Sequence, residues 1–305
     1  MIVGPYEDPQ HLINLPFSQA LDFDSQLSDG QHVASVMAKG LATESVLARL
    51  SDMLCKLPIS NETLFQPYCH QPVFWILPHL DKQQLVEWVA HIHSLFPYCF
   101  AHPQSRFFSM GSAGFLSALS ALKAIDADNA SATFIAVDSL FIDMAHFSQN
   151  NELISQQQDC GRCPAEAVIM ASINLATDGL QLVDLFQESC STVQQTQTIK
   201  TLFDRACQVE GVEVLAQLYL PGNHTTAIES WLNAYEQLAG KIDQDTQLTQ
   251  SNYFTGDIGS VAGLYNFLHL YNRYHQQQIT GTSLQLEVSQ QLHLGLAMYS
   301  WIEKA

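Results

Sequence analysis

The sequence predicts an α/β protein of two similar halves, with buried helices layered between two sheets. Three observations carry that reading. Short apolar, strand-like runs alternate with helical patterns along most of the chain. Two segments answer each other: GSAGFLSALSAL from Gly111 and GSVAGLYNFLHL from Gly259. Each is a glycine–serine opening to a helix uncharged over the quoted span, and each is followed by a β-rich run, SATFIAVDS or TSLQLEVS. A helix that is apolar on all sides is buried on all sides. The pair therefore predicts a central helical layer.

The elements follow in order. LATESVLARLSDML (41–54) has apolar residues at helical spacing, with Thr43 as its N-cap. PVFWILP (72–78), an apolar run between prolines, reads as a buried strand. DKQQLVEWVAHIHSLF (81–96) is an amphipathic helix capped by Asp81. SRFFSM is a short strand and GSAGFLSALSALKAI a helix. SATFIAVDSL (131–140) reads as a parallel strand, and AEAVIMASINLA (165–176) as a strand ended by Thr177-Asp178-Gly179. Beyond it VEVLAQLYL (212–220) is a strand and TTAIESWLNAYEQLAG (225–240) a helix ending on glycine. TSLQLEVS and HLGLAMYSW are separated only by Gln290-Gln291-Leu292, a hairpin-sized gap. The glutamine-rich pieces SQQQD, VQQTQT and DQDTQLTQ read as loops. The seam falls between Gln181 and Thr198, dividing the chain into 1–185 and 186–305.

Composition bounds the function. The 305 residues are 47% hydrophobic and 14% charged, a globular balance. No apolar run reaches the ~18 residues of a membrane span. The opening MIVGPYEDPQ is acidic and broken by prolines, unlike a secretory signal. Seven scattered cysteines suit a reducing cytoplasm, the expected location. With 12 Lys+Arg against 30 Asp+Glu, the net charge is −18, which argues against nucleic acid and for a partner with a basic patch. No nucleotide fingerprint is present, so no cofactor is expected. CGRC (Cys160, Cys163) lacks the second ligand pair of a structural zinc site, and His91 and His93 point to different helix faces, so no metal is expected either.

The order of GSAGFLSALSALKAI, FIAVDSL, GRCPAEAVIMASINL, YLPGNHTTAIESWL and GDIGSVAGLYNFL, closed by the terminal hairpin, resembles the thiolase superfamily, and most closely its β-ketoacyl synthase-like branch. The likeness covers roughly Pro72 to the C-terminus, about three quarters of the chain. It implies a five-layer αβαβα sandwich. The branch's chemistry needs a cysteine at the head of the first central helix, activated by the helix dipole. It also needs two histidines, or a histidine and a lysine, to hold the oxyanion and move protons. Carried over residue by residue, the nucleophile position falls at Met110 to Ser112, where there is no cysteine. The Gly-His motif falls on Gly256-Asp257, the lysine on Asn252, and the remaining histidine motif near His224 in GNHTT.

Those substitutions imply a site stripped of its chemistry. A carboxylate at Asp257 opposes an oxyanion, and fits better as a cap on free amides of the second central helix. Ser112 in MGSAG lacks the glycine two residues earlier that a nucleophile elbow requires, and reads as a cap. His224 is the one remaining acid–base candidate. The expectation is a non-catalytic thiolase-like binding or assembly protein. The resemblance extends to stand-alone proteins that accompany bacterial type VI secretion loci, which implies an accessory role in effector loading. The competing expectation is an acyltransferase or condensing enzyme with a displaced nucleophile, or the non-catalytic partner subunit of such a synthase in fatty acid or polyketide synthesis. A homodimer, or a heterodimer with a related subunit, is expected through the aromatic, nearly uncharged segment from Phe96 to Met110.

Overall fold

The computed structural model of the chain describes residues 2–3, 25–27, 32–38, 40–42, 45–57, 59, 61–125, 130–158, 161–221, 225–289 and 292–303. Thr43 lies outside them. The first helix is capped instead by Ser45, whose hydroxyl accepts from the Ala48 amide at 3.2 Å.

The strands are β1 Ile2–Val3, β2 Ser25–Gln26, β3 His32–Val33, β4 Val73–Ile76, β5 Arg106–Phe108, β6 Ser131–Ser139, β7 Glu166–Asn174, β8 Gly179–Ser189, β9 Leu215–Tyr219, β10 Gln247–Thr249, β11 Thr282–Val288 and β12 His293–Ile302. The principal helices are α1 Val46–Leu54, α2 Lys82–Leu95, α3 Gly114–Lys123, α4 Met144–Gln149, α5 Gln195–Cys207, α6 Thr225–Leu232 and α7 Ala262–His275.

Two five-stranded sheets result, ordered β1-β7-β6-β4-β5 and β10-β9-β11-β12-β8. If the sheet strands of each half are counted along the chain, both orders read 3-2-4-5-1. The sense of pairing repeats as well. The second strand lies parallel to the third and fourth, and the fifth lies antiparallel to the fourth and first. The duplication expected from two similar helices is thus present in the complete topology.

Strand alternation sorts the core into layers. Phe134 and Ala136 of β6 join Tyr219, Ala297 and Tyr299 of the second sheet and the apolar faces of α3 and α7 in one central cluster. Ile135 and Val137 point the other way, onto α1 and α2 with Leu50 and Trp88. Leu284, Leu286, Leu296 and Met298 pack outward on Ile199, Phe203 and Trp231 of α5 and α6. Helices, sheet, paired helices, sheet and helices make the five layers. The heads of α3 and α7 press together. A methyl at Gly263 would stand 2.7 Å from the Ser112 carbonyl and 2.9 Å from Phe115 Cβ.

Several elements differ from their sequence reading. The strand β8 fills ground read as a seam, and it pairs along its whole length with β12. Residue 185 therefore lies inside a strand of the second sheet. VQQTQT leads into α5, and DQDTQLTQ contains β10. The helix expected over 225–240 ends at Leu232, and a 3-10 turn at Tyr235–Leu238 follows. Phe107 and Phe100 of the expected dimer segment stack on Trp75, with ring centroids at 6.2 and 5.8 Å, so part of that aromatic surface is core.

Candidate functional site

The site forms where β6 ends against the head of α7. Along β6, the residues alternate so that Phe134, Ala136 and Asp138 face the central layer, and Asp138 comes last, beside Gly259. Gly259 has φ +53°, and a Cβ there would lie 2.2 Å from Asp138 Oδ2, so only glycine admits the carboxyl. The Ser260 amide donates to Oδ2 at 2.6 Å and the Ser139 amide to Oδ1 at 2.7 Å. Free amides at a helix start favour a carboxylate there. The other half repeats the contact with its polarity altered. At Gly111, with φ +60°, an added Cβ would meet Ser289 Cβ at 3.2 Å.

A second buried carboxyl stands on the facing sheet. Glu287 Oε1 accepts from Asn266 Nδ2 of α7 at 2.9 Å and from Gln285 Nε2 at 2.8 Å. Burial pushes both carboxyls up to about 7. The amides of Ser260 and Ser139 oppose that rise at Asp138, and the side chains of Gln285 and Asn266 oppose it at Glu287.

Asp257 leads into α7. Its Oδ1 accepts from the Gly259 amide two residues on at 3.0 Å, at the 3-10 turn Gly259–Val261 that precedes α7, while α7 itself starts after Val261 without a side-chain cap. Its Oδ2 lies 3.1 Å from Arg162 Nη1, an ion pair in which the arginine is almost wholly buried. Arg162 also approaches Glu152 at 3.5 Å and lies over the Phe147 ring at 4.1 Å. The backbone of Asp257 is tied to the first half too. Its amide donates to the Cys163 carbonyl at 2.7 Å, and its carbonyl accepts from the Ala165 amide at 2.9 Å.

These groups surround a cavity of about 240 Å³ lined by, among others, Ser112, Asp138, Asn252, Asp257, Asn266 and Glu287. Three residues singled out from the sequence, Ser112, Asn252 and Asp257, therefore meet at one place. Met110 does not line the cavity; it precedes the helical turn Gly111–Ala113. His224 lies outside the described residues. Ser112 is not a cap: neither that turn nor α3 has a side-chain cap, and Ser112 Oγ is buried without a hydrogen-bond partner. Asn252 Oδ1 is in the same condition.

In CGRC the arginine matters more than the cysteines. Cys160 is outside the described residues, and burial pushes the Cys163 thiol up to about 12, which keeps it protonated and unreactive. His93 packs on Phe100 at 5.1 Å while His91 is exposed, and no group of three metal-ligating side chains converges among the described residues. The residues that sequence reasoning passed over are Asp138, Glu287, Asn266 and Arg162. The available signal was a carboxylate inside an otherwise apolar strand, FIAVDS and LQLEVS, since such a charge is buried only with partners.

Two sheets of one strand order enclosing paired helices, with a cavity at the helix heads, define a thiolase-like fold. Solved structures share it. The oxazolomycin ketosynthase domain of Streptomyces albus superposes with a TM-score of 0.58 at 12% identity, covering 85% of this chain and 59% of that one. The ishigamide ketosynthase/chain length factor gives 0.53 at 11%, covering 76% and 73%. A type II ketosynthase solved with its acyl-carrier protein gives 0.52 at 13%, covering 84% and 81%. No family model and no curated sequence matches this chain. Among the described residues no helix is long and apolar enough to cross a membrane.

Proposed function

We propose that this chain is a non-catalytic subunit of the ketosynthase fold that works by binding a partner protein. One observation carries the reading: at the head of α3, Ser112 Oγ has no partner to activate it, and the cavity before it is lined by carboxyls. A serine needs a base within hydrogen-bond reach to attack a thioester. An oxyanion needs converging donors. Among the described lining residues there is no cysteine, lysine or arginine, and the one histidine, His79, is exposed. The partner reading draws support from fold-mates solved as a ketosynthase with its carrier protein and as a ketosynthase/chain length factor. No observation favours the narrower effector-loading role over other partner roles.

The test is incubation with acetyl and malonyl thioesters followed by intact-protein mass spectrometry. No acyl adduct and no condensed product are expected. An adduct on Ser112 would establish the enzyme reading instead.

We place the partner surface at the edge of the first sheet, where β5, among the described residues, pairs only with β4. Beside it, Val86 of α2 is 62% exposed within an apolar groove that includes Leu85, Val89 and Phe107. Light scattering should give twice the 34.0 kDa monomer mass, or that of a heterodimer once a related subunit is added. Val86→Glu should dissociate the assembly and leave it folded. Phe107→Glu is a poorer choice, because its ring stacks on Trp75.

A further inference from the structure

The polar chemistry of the cavity is one-sided. Asn266, only 4% exposed, donates its amide to Glu287 and leaves Oδ1 without a partner. Beneath it Gln285, fully buried, donates to Glu287 and to the Gly263 carbonyl at 2.9 Å, and its Oε1 is likewise unpartnered. Asn252 Oδ1 and the Ser112 hydroxyl add to the set. A buried polar group without a partner has given up its hydration with no hydrogen bond to offset the loss. The unpartnered groups of Asn266, Asn252 and Ser112 gather at one cavity and point to a ligand that satisfies them together.

The charges agree with that reading. Asp138, Asp143, Asp257 and Glu287 line the cavity, and no lysine or arginine does among the described residues. Arg162 is engaged by Asp257 and Glu152, and no ion pair reaches Asp138, Asp143 or Glu287 among the described residues. Both bonds to Glu287 fall on Oε1, and neither reaches Oε2. A ligand complementary to this lining carries positive charge and several donors but no acceptor. An alkylammonium group has that character, with three N–H donors. The absence of any converging three-ligand cluster among the described residues disfavours a metal ion. At about 240 Å³ the space is below the roughly 300–1,000 Å³ of drug-sized pockets, so the ligand is small.

We propose that this cavity binds a small alkylammonium ion, held by Glu287 and Asp138 and by the unpartnered oxygens of Asn266 and Ser112. The inference rests on reading the cavity as a site without a nucleophile. It also reverses the polarity that an acyl-thioester site requires.

Calorimetric titration of the full chain with butylamine and with 1,4-diaminobutane tests it, with butanol and sodium malonate as uncharged and anionic controls. Saturable binding of the amines alone is expected. Glu287→Gln should weaken it about tenfold or more, the value of a charge-assisted hydrogen bond. Ser112→Ala removes a hydroxyl that makes no internal hydrogen bond, so the variant should fold as the parent does by circular dichroism and bind the amines severalfold more weakly. Should Glu287→Gln not fold, Ser112→Ala decides. Failure of the folded parent to bind either amine, or undiminished binding by the folded variants, overturns the proposal. An acyl adduct on thioester treatment would strike the non-catalytic reading and leave the amine result standing, so the two failures are distinct.

Discussion

Gly259 holds the tightest single-residue constraint at the site. An added methyl meets the Asp138 carboxyl at 2.2 Å on a backbone already at φ +53°. Gly259→Ala should cost roughly 3 kcal/mol or more in urea unfolding. Gly40→Ala, at φ +73° with nothing within 4 Å, should cost only about 1 kcal/mol from the backbone alone. Another constraint is the buried ion pair of Arg49 with Glu166, which also accepts from the Ser139 hydroxyl. Glu166→Gln strands a buried guanidinium and should cost about 3–5 kcal/mol. Asp138 and Glu287 bear on pH. Their folded values near 7 lie above those of the unfolded chain, so the folded state binds more protons between pH about 4 and 7. Their contribution is full below about 4 and is lost as pH rises through 7. Asp138→Asn with Glu287→Gln should therefore flatten the fall in stability over that window, measured by urea midpoints at stepped pH.

At the scale of elements, the heads of α3 and α7 approach most closely at Gly263, so Gly263→Ala should push the helices apart. A loss of roughly 1–3 kcal/mol is expected, read as a lowered urea midpoint. Those two helices were legible in the sequence because an uncharged helix has one stable place, between two apolar layers. The sheet strands β4, β6, β11 and β12 were legible for the same reason. Strand β8 was not. Leu180, Leu182 and Leu185 face the central layer while Val183 and Phe186 face outward, and the pairing skips Val183 between Leu182↔Tyr299 and Asp184↔Met298. That bulge breaks the period of two on which strand recognition depends. The start of α5 was masked differently, by glutamines that carry no apolar period. In the site, Ser112, Asn252 and Asp257 were found through motif order. Asp138 and Glu287 were hidden because their strands read as apolar cores, and only the fold shows that both end at one cavity.

For the whole molecule, one central cluster takes side chains from both sheets and from both buried helices. Each half keeps an outer layer of its own, but the central layer belongs to neither alone. Unfolding in urea should therefore be a single transition. Trp75 and Trp88 report on the first half and Trp231 and Trp301 on the second, so paired Trp→Phe variants should give coincident midpoints. A first half that melts separately would contradict the shared core. The same arrangement has a consequence for synthesis. Once α3 has left the ribosome, its inner face, with Phe115, Leu116 and Leu119, still lacks the helix it packs against until α7 follows well over a hundred residues later. At about 5–20 residues per second that interval lasts on the order of ten seconds. Throughout it a bare apolar helix and the inner side of the first sheet face water or a chaperone, which makes the nascent chain, rather than the finished one, the species most prone to aggregate.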